Sequence, residues 1–430
     1  MAGKMADESS FDESYYLALY PDVAAAVDRG ECPSGDAHWR AFGKGEGRRA
    51  IPPVETIGLG GGIFPPETFR YPYGAYGRLA EFGFAEPVIG ADDERVAQRL
   101  IAAWKLARSE EPDNDLVDRS GMWALLPTWN PTLFAALESE DTKALVSLMS
   151  SMFLQRITHG IAMGYATAEM ARRMPIQFCA NVTDRLLRLA EALGVLSVRS
   201  PEQGDYSALL SLDLDAVVSA VESKLGVPLA FPKVGAPYGM RVNAGIFPEI
   251  SFTHIYAAHR ISRYLRDAGQ LRTFEIGGGF GGLAYFMQKI QPRNYTIYDL
   301  PFSCLIQGFF LLKAELPVAV RLYGEEPASG PAITVLPWWE IKRSEKYDVA
   351  INQDSLPEMP PHIGAYYIRE ICKITKKLFF SINQEQTAIN TGSMRQTVVS
   401  KIMAAETGLL PTARNLFWMR DGYVEEIYEL

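Results

Sequence analysis

The sequence contains few cysteines, no long apolar run and no excess of positive charge, and each absence excludes a class of protein. Only four of its 430 residues are cysteines, and no two of them form a Cys-x-x-Cys pair. Neither a zinc site nor a redox dithiol is therefore indicated, and reduced thiols are expected. No apolar stretch approaches the roughly 20 residues that a membrane span requires. The net charge of −9 argues against a nucleic-acid partner, because phosphate contacts need a basic surface.

The composition is typical of a globular protein with a large core. Aliphatic and aromatic residues make up 48% of the chain, and its length allows two or three domains. The first ten residues are polar and lack the apolar segment of a signal peptide. We therefore expect a cytoplasmic enzyme, and peripheral association with a membrane stays open.

Composition also divides the chain into five segments. They are a polar tail (1–10), a small helical module (11–49), a linker rich in proline and glycine (50–90), a mainly helical region (91–267) and an α/β domain (268–430). Apolar periodicity in the helical region predicts helices over 92–108, 141–160, 181–193 and 249–267. A glycine cluster at 57–64 is interpreted as linker, because no strand precedes it and two prolines follow it.

A glycine-rich turn between a strand and a helix is the most informative feature of the α/β domain. A β-type run at 273–276 leads into Gly277, Gly278, Gly279, Gly281 and Gly282, and an apolar helical run follows. Glycine lets the backbone turn tightly and approach a ligand closely. The next strand, 295–298, ends on Asp299, whose carboxylate is placed to accept both hydroxyls of a ribose. A nucleoside-type cofactor is therefore predicted.

The glycines alone do not identify this cofactor, because nicotinamide and S-adenosylmethionine binders share the GxGxxG spacing. Glu275 lies two residues before the first glycine. A carboxylate there would repel an anionic pyrophosphate and attract the sulfonium and ammonium groups of S-adenosylmethionine. Two β-type runs at 415–420 and 423–428 are joined by Asp-Gly, and such a C-terminal hairpin is usual in class I methyltransferases. Both features favour S-adenosylmethionine.

Alternating strands and helices from residue 271 onward predict a doubly wound, Rossmann-like sheet that ends in an antiparallel hairpin. Its other strands are predicted at 332–336, 347–351 and 377–382. Because ligands bind beyond the carboxyl ends of parallel strands, polar residues at these ends are expected to form one site. The residues assigned to the cofactor are Glu275, Gly277, Gly278, Gly279, Gly281, Asp299, Leu300, Pro337, Trp338, Asn352 and Gln353. For Trp338, a core position is an equal alternative to a contact with adenine.

The segment after the fourth strand is where a methyl acceptor is expected. Transfer to a hydroxyl needs a base for the departing proton, and the candidates are Asp354, Glu358 and His254. The structural alternatives are an N-terminal helix acid for Glu358 and a buried core position for His254. The identity of the base therefore stays open at this point.

Four further residues are assigned to the acceptor itself. They are Ser355, Asn383, Glu385 and Arg260. A solvated or ion-paired position is the alternative for Arg260. Asp354, Glu358 and Glu385 could together hold a divalent cation, so the need for a metal stays open.

Several motifs, taken in order, resemble the bacterial sugar O-methyltransferases linked to surface polysaccharides. The motifs are SPEQG (200–204), THIYAAHRI (253–261), EIGGGFGGLAYF (275–286), YTIYDLP (295–301), VLPWW (335–339), INQDSLPEM (351–359) and SINQE (381–385). The resemblance implies a class I fold, in which Glu275 and the glycines form the cofactor loop. The DLP step also resembles plant small-molecule O-methyltransferases, in which that acid holds the cofactor ribose. In those enzymes a His-Asp step after the fourth strand provides the base. This chain has the segment from Asp354 to Glu358 at that place instead.

The helical module resembles a short YPDV…H…FG…EGR unit that occurs beside bacterial surface-glycan enzymes. Asp22, His38 and Arg48 are expected to be structural in it. The resemblance gives no role for the module beyond docking to a partner or contact with a substrate chain.

The function expected from the sequence is S-adenosylmethionine-dependent O-methylation of a sugar hydroxyl in bacterial polysaccharide or glycolipid biosynthesis. The helical region would form a lid and acceptor pocket, and it is a candidate surface for a homodimer. The alternatives are an NAD(P)-dependent sugar oxidoreductase and a non-catalytic adapter in a glycan assembly complex. Glu275 stands against the oxidoreductase.

Overall fold

A computed structural model describes most of the chain. The described residues are 11, 13, 16–17, 20–46, 48, 50, 81–116, 122–161, 163–198, 212–242, 245–265, 271–386 and 397–430. The chain divides into two compact units, Met1–Ile63 and Phe64–Leu430. The predicted polar tail, the glycine cluster at 57–64 and the SPEQG motif at 200–204 lie outside the described residues.

The N-terminal unit is built around one buried tyrosine. Its described helices are α1 (Pro21–Asp28) and α2 (Gly35–His38), and α2 continues into a π-helical turn, Trp39–Gly43. The Tyr16 hydroxyl is hydrogen-bonded to His38 Nδ1 at 3.1 Å. Arg48 pairs with Asp22 at 2.8 Å. His38, Asp22 and Arg48 thus all make contacts within the unit.

Eight described helices of the larger unit precede its main sheet. They are α3 (Asp93–Glu110), α4 (Leu126–Trp129), α5 (Pro131–Glu138), α6 (Thr142–Met149), α7 (Tyr165–Arg173), α8 (Pro175–Ala192), α9 (Leu214–Leu225) and α10 (Glu249–Tyr264). Between them lie short 3₁₀ turns at Met122–Leu125, Met152–Leu154 and Arg156–Thr158. Of the eight helices, α3, α4, α5 and α10 contribute residues to one wall of a cavity.

One helix predicted for this region is too long, and one small sheet was not predicted. The helix expected over 141–160 ends at Met149, because Phe153 donates its N–H to Gly235 O at 3.0 Å instead of continuing the helix. The region also contains a small antiparallel sheet of β1 (Glu81–Phe84), β2 (Tyr238–Val242) and β3 (Gly245–Phe247). Its strands are short, and β1 lies far before β2 in the sequence, so a local pattern does not reveal the pairing of β1 with β2.

The main sheet has eight strands, and its helices are α11 to α14. The strands are β4 (Thr273–Ile276), β5 (Tyr295–Asp299), β6 (Ala319–Arg321), β7 (Ala332–Pro337), β8 (Tyr347–Gln353), β9 (Thr375–Gln384), β10 (Ala413–Leu416) and β11 (Tyr423–Glu429). The helices are α11 (Gly282–Ile290), α12 (Pro301–Lys313), α13 (Pro361–Ile374) and α14 (Val399–Thr407). Two 3₁₀ turns, Trp338–Arg343 and Leu356–Glu358, follow β7 and β8.

The order of the strands confirms the predicted doubly wound sheet. It is β10-β11-β9-β8-β4-β5-β7-β6, and β11 alone runs opposite to the other seven strands. The C-terminal hairpin is present, but its first strand ends at Leu416 and not at residue 420, so residues 417–422 form the turn. The edge strand β6 was not predicted, and it has only three residues.

The central strand positions the site. All four residues of β4 are buried, and Glu275 lies between Ile297 of β5 and Ile351 of β8 in the parallel register. The carboxyl ends of β4, β5, β7 and β8 therefore meet at one edge of the sheet. None of the helices in the described part of the chain combines the length and apolar character needed to span a bilayer.

Candidate functional site

A cavity of about 730 Å³ lies at this edge, between the strand ends and the helical wall. It brings together most of the residues that the sequence assigned to a site. Those that line it are His254, Glu275, Gly277, Gly278, Gly279, Asp299, Leu300, Trp338, Gln353, Asp354, Ser355 and Glu358. Gly281, Pro337, Asn352, Asn383, Glu385 and Arg260 do not line it.

The glycine loop fits closely against its surroundings. Gly277 has φ +71°, and a Cβ atom there would lie 2.2 Å from Ser355 Oγ. A Cβ atom on Gly278 would lie 2.8 Å from Ile297 Cγ2. Gly281 has φ +92° and precedes α11 at its N-terminus, where it turns the chain. It does not line the cavity, so its predicted contact with the cofactor is corrected. Glycine at these positions keeps the backbone free to contact a ligand directly.

Glu275 is a fully buried carboxyl group beside this loop. Tyr295 donates its hydroxyl to Glu275 Oε2 at 2.9 Å. Burial raises the pKa of Glu275 to about 8, and the hydrogen bond from Tyr295 only partly opposes this. A buried acid without a cationic partner prefers its proton, so the site is electrostatically prepared for a ligand that carries positive charge.

Asp299 is oriented by two donors. Its Oδ1 accepts the Leu300 N–H at 2.8 Å, and its Oδ2 accepts Gln307 Nε2 at 2.6 Å. Burial raises the pKa of Asp299 to about 6, while these hydrogen bonds lower it. Each carboxylate oxygen can accept more than one hydrogen bond, so both can still accept hydroxyl groups from the cavity.

Two residues that follow the ends of β5 and β7 offer apolar faces to the cavity. Leu300 and Trp338 both line it. Trp338 is only 2% exposed and also packs edge-on against Trp339 and Tyr366, so it is at once a lining residue and part of the core. Pro337 lines a separate small apolar pocket beside Cys304, which corrects its predicted contact with adenine.

The end of β8 is fixed by a buried network of amides. Asn352 Nδ2 donates to Ile276 O at 3.0 Å and to Ser355 Oγ at 2.6 Å. Asn383 Nδ2 donates to Asn352 Oδ1 at 2.9 Å. Both asparagines are about 1% exposed or less. They hold the loop in place behind the cavity, so the predicted ligand contacts of Asn352 and Asn383 are wrong.

Asp354 and Glu358 lie in the cavity wall in different environments. Asp354 accepts hydrogen bonds from Arg420 Nη1 at 2.5 Å and from the Tyr423 hydroxyl at 2.6 Å. Among the described residues, none donates a hydrogen bond to the Glu358 carboxyl group. Burial and the neighbouring charge of Asp354 raise the pKa of Glu358 to about 8, although Arg420 opposes this shift. Of the two acids, Glu358 is the one free to exchange a proton near neutral pH.

His254 lines the cavity but is poorly suited to be a base. Its Nδ1 is buried, lacks a hydrogen-bond partner among the described residues, and would lie 2.4 Å from a Cβ atom on Gly282. Burial lowers the pKa of His254 to about 3, so its imidazole is neutral and only weakly basic. Its ring packs against Phe280, with 5.6 Å between the ring centroids.

Arg260 and Glu385, which the sequence assigned to the acceptor, are instead held in ion pairs within the protein. Arg260 binds Glu425 with two hydrogen bonds, at 2.5 and 3.1 Å. Glu385 pairs with Arg414 at 2.5 Å. No group of three or more His, Cys, Asp or Glu side chains in the described ranges is arranged to hold a metal ion, so Asp354, Glu358 and Glu385 do not form the cation site considered above.

Several functional residues were not identified from the sequence. Tyr295 and Gln307 position the two acids, and Gln307 could have been noticed as a polar residue within the apolar run of α12. Arg420 was assigned to a strand, and nothing in its sequence context indicates a contact with residue 354. The helical wall contributes Trp104, Trp123 and Phe134, which local periodicity marks only as apolar.

No protein-family model matches the chain, and no curated protein sequence matches it. Among solved structures, it is similar to the magnesium protoporphyrin IX methyltransferase of Synechocystis PCC 6803 with bound SAM: 18% identity, 42% of this chain and 80% of that chain covered, TM-score 0.31. It is also similar to the 1,6-didemethyltoxoflavin-N1-methyltransferase of Burkholderia thailandensis, with 14% identity, 41% and 77% coverage and a TM-score of 0.28. Independently of these similarities, the strand order and the single reversed strand show a doubly wound, Rossmann-like α/β sheet with a C-terminal antiparallel hairpin.

Proposed function

We propose that the chain is an S-adenosylmethionine-dependent O-methyltransferase that acts on a sugar hydroxyl in bacterial surface polysaccharide or glycolipid biosynthesis. The observation that carries the proposal is the buried carboxyl group of Glu275 beside a glycine loop, with Asp299 at the end of the next strand. A buried acid with no cationic partner among the described residues suits a positively charged cofactor, because a bound cation stabilises its carboxylate form.

The residues present fit such a cofactor. Glu275 would bind its cationic end, the backbone from Gly277 to Gly279 would lie against it, and Asp299 would accept its ribose hydroxyls. Leu300 and Trp338 would cover its base. When bound, S-adenosylmethionine supplies an electrophilic methyl group.

Glu358 is the residue that we assign to proton removal. The acceptor hydroxyl must lose a proton as its oxygen is methylated, and a base with a pKa near the working pH is most effective. Glu358 meets this condition, whereas Asp354 is held by Arg420 and Tyr423. Ser355 and Gln353 line the same cavity as Glu358.

The charges on the cavity wall favour an acceptor without negative charge. The carboxyl groups that line the described cavity are those of Glu111, Asp113, Glu138, Glu275, Asp299, Asp354 and Glu358, and the lining guanidinium group is that of Arg108. Arg108 is itself paired with Glu111. An anionic sugar would be repelled by this wall, whereas the faces of Trp123 and Phe134 suit the apolar face of an uncharged sugar ring.

Methyl transfer to glycan pools of defined charge tests the proposal. The full chain is incubated with methyl-labelled S-adenosylmethionine and with bacterial surface glycans separated by anion exchange into uncharged, amine-bearing and anionic pools. Label is expected in the uncharged pool, and Asp299→Ala should abolish it. Label confined to phosphorylated or nucleotide-linked sugars would contradict the acceptor class, and no label in any pool would contradict the function.

A further inference from the structure

A chain of hydrogen bonds connects helix α8 with the wall of the cavity through the turn of the C-terminal hairpin. Arg188 of α8 donates to Asp421 through Nη1 and Nη2, each at 3.0 Å. Its Nη1 also donates to Trp418 O at 3.3 Å, and Trp418 Nε1 returns a hydrogen bond to Arg188 O at 2.9 Å. The turn is thus held to α8 at both ends of a four-residue stretch.

Three further contacts hold the two arginines of α8, and one of them reaches the turn. Arg185, one helical turn before Arg188, donates to Met419 O and pairs with Glu249 of α10 at 2.9 Å. Arg188 Nε pairs with Asp184 at 2.7 Å, and the side chain of Arg188 is only 5% exposed. A buried arginine with several fixed partners holds a defined geometry.

The residue that the turn presents to the cavity wall is Arg420. Its guanidinium group lies 2.5 Å from Asp354 Oδ2 and 4.0 Å from the centroid of the Tyr423 ring, and the Tyr423 hydroxyl donates to Asp354 Oδ1. Asp354 has φ +63°, a conformation that non-glycine residues rarely adopt. Its N–H donates to Ile382 O and Asn383 Oδ1, so the loop is held from both sides.

We propose that Arg420 and Arg188 are positioning residues, which hold Asp354 in its strained conformation through the turn at 417–422 and thereby fix the charge environment of Glu358. Neither arginine lines the cavity. They act on the cavity wall through Asp354, which lies four residues before Glu358. The inference rests on the proposed function only in giving Glu358 a catalytic task.

The groups that face Glu358 act in opposite directions. Asp354, on the same loop, raises the pKa of Glu358, and Arg420 of the hairpin lowers it. Tyr423 belongs to the same cluster, while His254 and Arg108 line the same cavity. Removal of Arg420 would delete the opposing cation and leave Asp354 without its ion pair, so both effects would favour the protonated form of Glu358.

Carboxyl titration by ¹³C NMR of the full chain tests this without any acceptor. The Glu358 resonance is assigned as the one missing from Glu358→Gln. In Arg420→Gln its midpoint should move to higher pH by about half a unit or more. Arg188→Gln should move it in the same direction by less, and Arg420→Lys should restore most of the original value.

A matched control on the same hairpin is Arg414→Gln. Arg414 pairs with Glu385 and Glu426 and does not line the cavity, so the Glu358 midpoint should stay unchanged. An unchanged midpoint in Arg420→Gln, or an equal shift in Arg414→Gln, would overturn the inference. If Arg420→Gln does not fold, Arg188→Gln carries the test, because it too should move the Glu358 midpoint to higher pH. Because the titration requires no methyl transfer, a failed transfer assay with the expected shift would count against the proposed function alone.

Discussion

Gln307 donates its amide nitrogen to Asp299 Oδ2 at 2.6 Å, and the same nitrogen lies 3.1 Å from Gly279 O. One fully buried side chain of α12 therefore ties the acid at the end of β5 to the glycine loop after β4. The two elements that would hold a ribose and a cationic group are thus fixed relative to each other. This preorganisation is what a shared cofactor site requires.

The first prediction concerns Asp299. Asp299→Ala removes the acceptor of two ribose hydrogen bonds, so S-adenosylhomocysteine should bind at least tenfold more weakly, about 1.4 kcal/mol or more. Isothermal titration measures this change. Glu345→Gln, at an exposed ion pair with Arg272, is the control and should bind normally. Unchanged affinity in Asp299→Ala would remove the assignment of the ribose site.

The second prediction is that cofactor binding releases a proton from Glu275. The pKa of Glu275 is about 8 in the free protein, and a bound cation should lower it. Affinity for S-adenosylmethionine should therefore rise with pH up to about 8 and then level off. Titrations between pH 6 and 9 in buffers of different ionisation enthalpy detect the proton. Proton release that persists in Glu275→Gln would assign the effect to another group.

The same pKa determines how stability varies with pH. The folded pKa of Glu275 lies above the usual value near 4.5, so the folded state holds a proton that the unfolded state has lost. The contribution of protonated Glu275 to the free energy of unfolding is fully present below about pH 4.5, and it is lost as the pH rises towards 8. The melting temperature of Glu275→Gln should accordingly vary less with pH across this window than that of the unchanged protein.

The third prediction separates two effects of adding a Cβ atom at Gly277: backbone strain from its positive φ, and a steric clash with Ser355. Gly277→Ala should destabilise the fold by about 2–4 kcal/mol, because its φ is positive and the new Cβ atom would clash with Ser355 Oγ. Gly422→Ala is the matched control, since its φ is +78° and nothing lies within 4 Å of the new atom. The double variant Gly277→Ala/Ser355→Gly should recover part of the loss in thermal melting. Equal losses in the two single variants would rule out the clash.

The fourth prediction concerns Glu358. Glu358→Gln should slow methyl transfer at least tenfold, about 1.4 kcal/mol, because the acceptor hydroxyl loses its base, and affinity for S-adenosylhomocysteine should not change. In the unchanged enzyme the rate should rise with pH through about 8, as the carboxylate forms. Glu326→Gln, at an exposed position, is the control. A fully active Glu358→Gln variant would show that another group accepts the proton.

Sequence patterns predicted the sheet well because its signals are local. The strands β4, β5, β7 and β8 contain apolar runs, and the glycine loop and Asp299 follow directly from their positions at strand ends. Glu275, Asp299 and Glu358 all line one cavity. They lie at or just after the carboxyl ends of β4, β5 and β8, which is why the sequence could bring them together.

Contacts between distant segments could not be predicted in this way. Arg420 meets Asp354 across 66 positions, and Arg188 meets Asp421 across 233. Asn383 and Arg260 were assigned to the acceptor from their polarity, but Asn383 is buried in a hydrogen-bond network and Arg260 is held by Glu425. Polarity at a strand end or on a helix does not reveal whether the group faces the cavity or a partner in the protein.

The most direct measurement is the titration of the full chain with S-adenosylhomocysteine and, separately, with NADH. We expect S-adenosylhomocysteine to bind at one site per chain, with affinity lost in Asp299→Ala and reduced in Glu275→Gln, and NADH not to bind. Binding of NADH in its place, or binding of S-adenosylhomocysteine that neither substitution weakens, would contradict the assignment of this cavity to a cationic methyl donor.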